Sequence, residues 1–235
     1  PDNIKTMGYR VFQNCTSLET ANYPKNWTNT PGGNGAGSWE RGGIFYGCSS
    51  MKSITIPEGI TNVVPYAFQG CAYIKQVELP DSLISIGEYA FEGCSGLTEI
   101  KLPASVRTIG WNAYEWCSGA TRITLPEGLK TICAYAFGGC TEVKSLELPD
   151  SIETMGFQVF RNCTKLTEVN YPRNWTNTPS GNGAGSWENG EIFYNCSSLR
   201  TLIIPEGVTE IPPYAFRNCT YLRTVVLPST LQVIN

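Results

Sequence analysis

Ten cysteines are the side chains in this sequence best equipped for chemistry, and nine of them share one repeat position. Cys48, Cys71, Cys94, Cys117, Cys140 and Cys163 follow at intervals of 23, as do Cys196 and Cys219. Cys15 to Cys48 and Cys163 to Cys196 measure 33, one period plus ten residues. Thiols can hold zinc, but there is no Cys-x-x-Cys pair and no histidine, so no metal site is expected. The lack of histidine also excludes a Ser–His–Asp or Cys–His nucleophile. Thiols in stacked coils would lie roughly 4.8 Å apart, within reach of a disulfide, but in-register neighbours seldom present its dihedral. A buried column of free thiols is the expectation, with Cys133 outside it.

Other reactive-looking groups resolve in the same direction. Asp2, Glu58, Asp81, Glu127, Asp150 and Glu206 each follow a proline at one repeat position. One carboxylate per repeat at the same turn reads as a solvated edge, not as an acid–base pair. Calcium would want an Asp-x-Asp cluster, which is missing. Gly33-Asn34-Gly35-Ala36-Gly37 lacks the Gly-Lys-Ser/Thr ending of a phosphate loop. The chain is therefore expected to be no enzyme and to need no cofactor.

A fixed period in the 20s is the signature of stacked coils, each burying its apolar side only against its neighbours. In residues 83 to 103, Ile100 and Leu102 alternate with polar residues, as a strand with one buried face does. Pro24, Pro57, Pro80, Pro103, Pro126, Pro149, Pro172, Pro205 and Pro228 close the strand in each coil, where ladder pairing stops. Nine such strands would form one parallel sheet about 38 Å across. Ala90, Phe91 and Cys94 sit at helical spacing, which predicts a short helical turn on the other side. The residue before the column Cys is Asn14, Gly47, Gly70, Gly93, Gly139, Asn162, Asn195 or Asn218, types that tolerate a left-handed helix end. Trp116 is the exception, and its turn is expected to distort. Phe12, Phe45, Phe68, Phe91, Tyr114, Phe137, Phe160, Phe193 and Phe216 should form an aromatic file in the core. Gly8, Gly87, Gly110 and Gly156 share a slot with Val64, Cys133 and Pro212. Valine and proline reject positive φ, so close backbone approach explains those glycines. The expected class is α/β: one solenoid over 1–235 with a parallel sheet, one short strand and one short helical turn per 23-residue coil.

The pattern Leu-x-x-Ile-Gly-x-x-Ala-Phe-x-x-Cys-x-x-Leu-x-x-Ile-x-Leu-Pro closely resembles the BspA-like, or Treponema pallidum-type, leucine-rich repeat, over essentially the whole chain. The resemblance implies a leucine-rich-repeat solenoid with its parallel sheet on the concave side. It also implies an extracellular or cell-surface protein of a host-associated microbe, linked to adhesion to host matrix proteins or epithelium. The family offers no catalytic residues to carry over.

Charges nearly balance, 17 basic against 20 acidic, without a Lys/Arg cluster, so no nucleic-acid partner is expected. No apolar run approaches the roughly 18 residues of a membrane span, so no membrane insertion is expected within this segment. The chain opens and stops in mid-repeat and is read as a segment of a longer protein. Residues 1–87 recur as 149–235, offset by 148, with well over half of the positions identical. The ten-residue insertions fall in loops 25–43 and 173–191. Asn26 to Glu40 differs from Asn174 to Glu188 only where Gly32 becomes Ser180. Trp27, Trp39, Trp175 and Trp187 either fold back to plug a widened coil or form an exposed contact patch, since Trp offers rigid contact area.

The outward residues of the sheet are the other candidate surface: Gln76, Glu78, Glu99, Lys101, Arg122, Glu147 and Glu168, mixed in sign. Such a strip can read a partner's register, or it can be a plain solvated face. Function is expected to be a surface scaffold that binds a host or extracellular protein through the sheet face. The alternatives are a carbohydrate held by the Trp loops and a passive spacer.

Overall fold

The computed structural model describes residues 3–4, 10–25, 43–175 and 190–234. Within them the 23-residue segments stack in parallel register, each closing one turn of a solenoid. Two strands occur in most coils. On one face lie β1 (Ser53–Thr55), β3 (Gln76–Glu78), β5 (Glu99–Lys101), β7 (Arg122–Thr124), β9 (Ser145–Leu146), β11 (Glu168–Val169), β12 (Thr201–Ile203) and β14 (Thr224–Val226). On the other lie β2 (Asn62–Val63), β4 (Ser85–Ile86), β6 (Thr108–Ile109), β8 (Thr131–Ile132), β10 (Thr154–Met155), β13 (Glu210–Ile211) and β15 (Val233–Ile234). Pairing is parallel and in register, Glu99 with Arg122 and Ser85 with Thr108 for example. Every strand pair is therefore one repeat apart.

Two expectations need correction here. The single sheet is in fact three ladders, β1-β3, β5-β7 and β9-β11-β12-β14, with β3 and β5 unpaired and β7 and β9 unpaired. The far side, by contrast, runs unbroken through β2-β4-β6-β8-β10. The coils thus stay joined at the back across two seams in the front.

The helical turn is the second correction: among the described residues there is no helix. Tyr89 has φ of 55° and Gly93 of 71°, and both values break a right-handed helix. Three overlapping turns replace it, closed by Ala90 N to Gly87 O (3.3 Å), Glu92 N to Tyr89 O (3.2 Å) and Cys94 N to Phe91 O (3.1 Å). The N–H groups in between donate to the next coil: Tyr89 to Trp111 O, Phe91 to Ala113 O and Gly93 to Glu115 O, each at 2.8 Å. A helix would spend all of these donors locally. Alternating them lets one segment turn the chain and bind its neighbour, so the backbone is satisfied without a helix.

Trp116 does not distort its turn. It takes φ of 60°, donates to Gly138 O at 2.7 Å, and lets Cys117 N reach Tyr114 O at 3.2 Å, as in the other coils. Gly139 of the next coil makes the room, since a Cβ there would lie 2.3 Å from Trp116 Cε3. Close approach also explains Gly87: a Cβ would sit 2.6 Å from Pro65 N and from Val63 O.

The core is a set of continuous files. Rings from Phe12 through Phe45, Phe68, Phe91, Tyr114, Phe137, Phe160 and Phe193 to Phe216 stack at centroid distances of 5.1 to 5.7 Å, tilted by 4° to 12°. Beside them runs the thiol file. All ten cysteines are free, and eight of the nine in the column are buried. Cys15 is exposed because no described residue covers its side of the stack. Each buried thiol donates to the aromatic carbonyl of the preceding coil: Cys94 Sγ to Phe68 O at 3.3 Å, Cys117 Sγ to Phe91 O at 3.3 Å, Cys196 Sγ to Phe160 O at 3.2 Å. That carbonyl already accepts the Cys N–H of its own coil, so the thiol fills its second lone pair. A small, mostly apolar donor is what this position needs.

Burial raises the pKa of these thiols, from an ordinary 9.0 to about 12 for Cys71 and about 11 for Cys219. Cys94, Cys117 and Cys140 move the same way for the same reason. The native state therefore holds protons that the unfolded chain gives up above pH 9. Stability from this source is complete below pH 9 and falls as pH rises toward the native values. We expect the urea midpoint to be level from pH 7 to 8.5 and to decline from pH 9 to 10.5. A Cys94→Ala/Cys117→Ala variant should show a smaller decline. In the native protein, Cys15 should react with a thiol reagent at once and the eight buried thiols only on unfolding.

Candidate functional site

The strand face carries an open groove of about 1180 Å³. Its walls come from β7, β9, β11 and β12, and its charged lining is Arg122, Glu147, Asp150, Glu168, Arg173 and Arg200. It lies at the seam between β7 and β9, where the ladder is open. The floor includes Ile123, Leu125 and Val169, with 6, 9 and 8% of their surface exposed, against 0 to 2% for most of the core. Water therefore comes closer to these residues than to most of the core, as it does to Val77 and Leu79 beside the β3–β5 seam.

Asn170 shapes the groove. Its side-chain amide donates to Leu148 O at 2.8 Å and accepts from Leu148 N at 2.6 Å. A side chain thus stands in for a main-chain rung just past Val169. On the following turn Asp150 accepts Arg173 N at 2.9 Å, and Asn174 donates to Asp150 O at 2.8 Å. Trp175 then tucks under, 6% exposed, with its ring 5.1 Å from that of Tyr171.

The row of post-proline carboxylates has a structural task. Glu58 accepts Asp81 N at 3.1 Å and Glu206 accepts Ser229 N at 2.9 Å, so each ties its turn to the next coil. The Ser229 backbone N–H and then its hydroxyl hold the Glu206 carboxyl below its ordinary pKa. Among the described residues no group of three His, Cys, Asp or Glu is placed to hold a metal.

All seven strand-face candidates are exposed, but they do not form one strip. Gln76 and Glu78 lie on β3, where Glu78 accepts the Thr55 hydroxyl at 2.9 Å. Glu99, Lys101 and Arg122 lie on the β5-β7 ladder, with Arg122 Nε 4.0 Å from Glu99. Only Arg122, Glu147 and Glu168 reach the groove. Trp175 gives its ring to the core and offers no contact surface. Trp27, Trp39 and Trp187 lie outside the described residues, as do 26–42 and 176–189 of the two insertions. Sequence reasoning missed Arg173, Arg200 and the bridging role of Asn170. A signal for Arg200 was present in the duplication, as shown below.

In-register parallel coils with an aromatic file, a thiol file and an open strand face define a repeat scaffold of the leucine-rich class. The chain belongs to the BspA type leucine rich repeat family, whose region model matches in six copies over residues 1–33, 41–166 and 189–235. That match indicates no catalytic family. A leucine-rich repeat protein of Bacteroides ovatus is 24% identical, with a TM-score of 0.64, across 98% of this chain and 66% of its own. The Treponema pallidum leucine-rich repeat protein is 28% identical, with a TM-score of 0.57, across 77% of each chain. The pneumococcal vaccine antigen PcpA is 25% identical, with a TM-score of 0.51, across 77% of this chain and 52% of its own. No curated protein matches. Among the described residues no helix is long and apolar enough to cross a membrane.

Proposed function

We propose that this chain is a non-enzymatic interaction scaffold, displayed at a cell surface or secreted, that holds a host or extracellular matrix protein against the outward face of its strands. The groove over β7 to β12 carries the reading, because it is an open charged concavity on a stack of in-register strands. Its volume of about 1180 Å³ exceeds the roughly 300–1,000 Å³ of small-molecule pockets and suits several residues of a protein. Likeness to a pneumococcal vaccine antigen supports outward display. Balanced and interspersed charge supports a protein partner over a polyanion.

Immobilised protein should capture at least one member of a panel of fibronectin, laminin, collagen and fibrinogen. Lys101→Ala/Arg122→Ala is expected to weaken that capture about 5- to 20-fold, as the loss of two contact charges does. Capture by no panel member, or equal capture by the variant, would count against the sheet face and leave a passive spacer.

A further inference from the structure

The duplication supplies an internal control for the groove. In the first block Lys52 Nζ pairs with Glu19 at 2.9 Å, coil to coil. The offset of 148 carries Lys52 to Arg200, Glu19 to Thr167 and Thr20 to Glu168. The second block has therefore moved its carboxylate by one residue, from the position that neutralises the next coil's cation to the outward face of β11. Arg200 keeps no ion-pair partner among the described residues, nor do the Arg173 guanidinium, Glu147 or Glu168. All four line the groove. Two cations and two anions without ion-pair partners, spread over the β9-β11-β12 ladder, are a surface prepared for complementary charge.

We propose that this groove receives an extended segment of a partner protein in which a basic and an acidic residue stand two apart, the basic one against Glu147 and Glu168, the acidic one against Arg200, which stands one coil beyond Glu168, immediately before β12. This rests on the sheet-face reading and narrows it to four coils. In an extended chain, residues two apart share a face and lie about 6.7 Å from each other, while coils step by about 4.8 Å. The two charge contacts therefore fall one to two coils apart, within reach of long side chains. A segment of single sign meets repulsion at one end, which gives the site its selectivity.

The test uses dye-labelled 11-residue peptides in a Ser/Thr host, with Lys-Thr-Glu, Glu-Thr-Lys, Lys-Thr-Lys, Glu-Thr-Glu or Ser-Thr-Ser at the centre, read by fluorescence anisotropy on the full chain. One of the two mixed-charge peptides should bind about tenfold tighter than the single-sign and neutral ones, the sum of two modest charge contacts. Thr167→Glu/Glu168→Thr installs the first block's arrangement, which that block shows to be compatible with the fold, and should erase the preference. Arg200→Glu should shift it about tenfold toward Lys-Thr-Lys. Equal binding of all five peptides overturns the proposal, as does a preference that survives both variants. Matrix capture lost in Lys101→Ala/Arg122→Ala but untouched by Thr167→Glu/Glu168→Thr overturns the groove alone and leaves the wider sheet-face reading standing.

Discussion

Replacing Phe91 by Ala is expected to cost about 3–5 kcal/mol of unfolding free energy, the range for deleting a fully buried ring. Phe91 has no exposed surface and stacks on both sides, 5.3 Å from Phe68 and 5.1 Å from Tyr114. The deletion opens a cavity shared by three coils, and the backbone around it is poorly placed to collapse. Phe91 O accepts both Cys94 N and Cys117 Sγ, and Phe91 N donates to Ala113 O, so the chain is pinned at that point. Since each coil packs its apolar side against its two neighbours, two interfaces weaken together. Phe12 offers the control: it is 38% exposed and stacks only on Phe45 among the described residues, so Phe12→Ala should cost less than about half as much. Urea titration with the slope held constant decides between them. Equal losses at Phe12 and Phe91 would mean that the file does not act as a continuous core.

The files were legible because identity at a fixed period leaves little freedom: a residue that recurs every 23 positions must meet its own copies once the coils stack. Direction of the backbone was less legible. Ala90, Phe91 and Cys94 have helical spacing, but Tyr66, Tyr89, Tyr135 and Tyr214 all adopt positive φ, a region where tyrosine is uncommon. Nothing local in the sequence announces that choice. It is set by donors that bond to the next coil, and those are tertiary contacts. Nor was the broken sheet visible, because β3 and β5, or β7 and β9, carry the same alternation as the strands that do pair. Asn170 looked like one more outward polar residue, whereas its amide bonds to Leu148. The shift of a carboxylate from Glu19 to Glu168 was readable from the duplication all along. Its meaning needed the Lys52–Glu19 contact, which only the structure provides.

Arg161 should prove the most sensitive charged residue. It reaches across two coils to Glu115, with Nη2 at 2.5 Å and Nε at 3.1 Å from one carboxylate oxygen, while Asn112 donates to the other. The Glu115 side chain is 4% exposed and that of Arg161 29%. Tyr135 and Trp116 lie 4.6 and 5.8 Å from the guanidinium, so its faces rest on rings. The bridge passes over the intervening coil because that coil has Gly138, where a Cβ would come within 3.0 Å of Arg161 Cγ and 3.3 Å of Glu115 Oε1. Arg161→Met keeps the stem but leaves a buried carboxylate with one amide donor. The expected cost is about 3 kcal/mol, the low end for breaking a buried pair, since Arg161 is partly open to water. Glu115→Gln/Arg161→Met removes the orphaned charge and should return to within about 1 kcal/mol of the parent. The resulting cycle should give a coupling of about 2 kcal/mol, well above the spread of independent sites. Additive losses in the double variant would mean that Glu115 draws its support from Asn112 and the turn backbone, and that the two-coil staple contributes packing and no charge compensation.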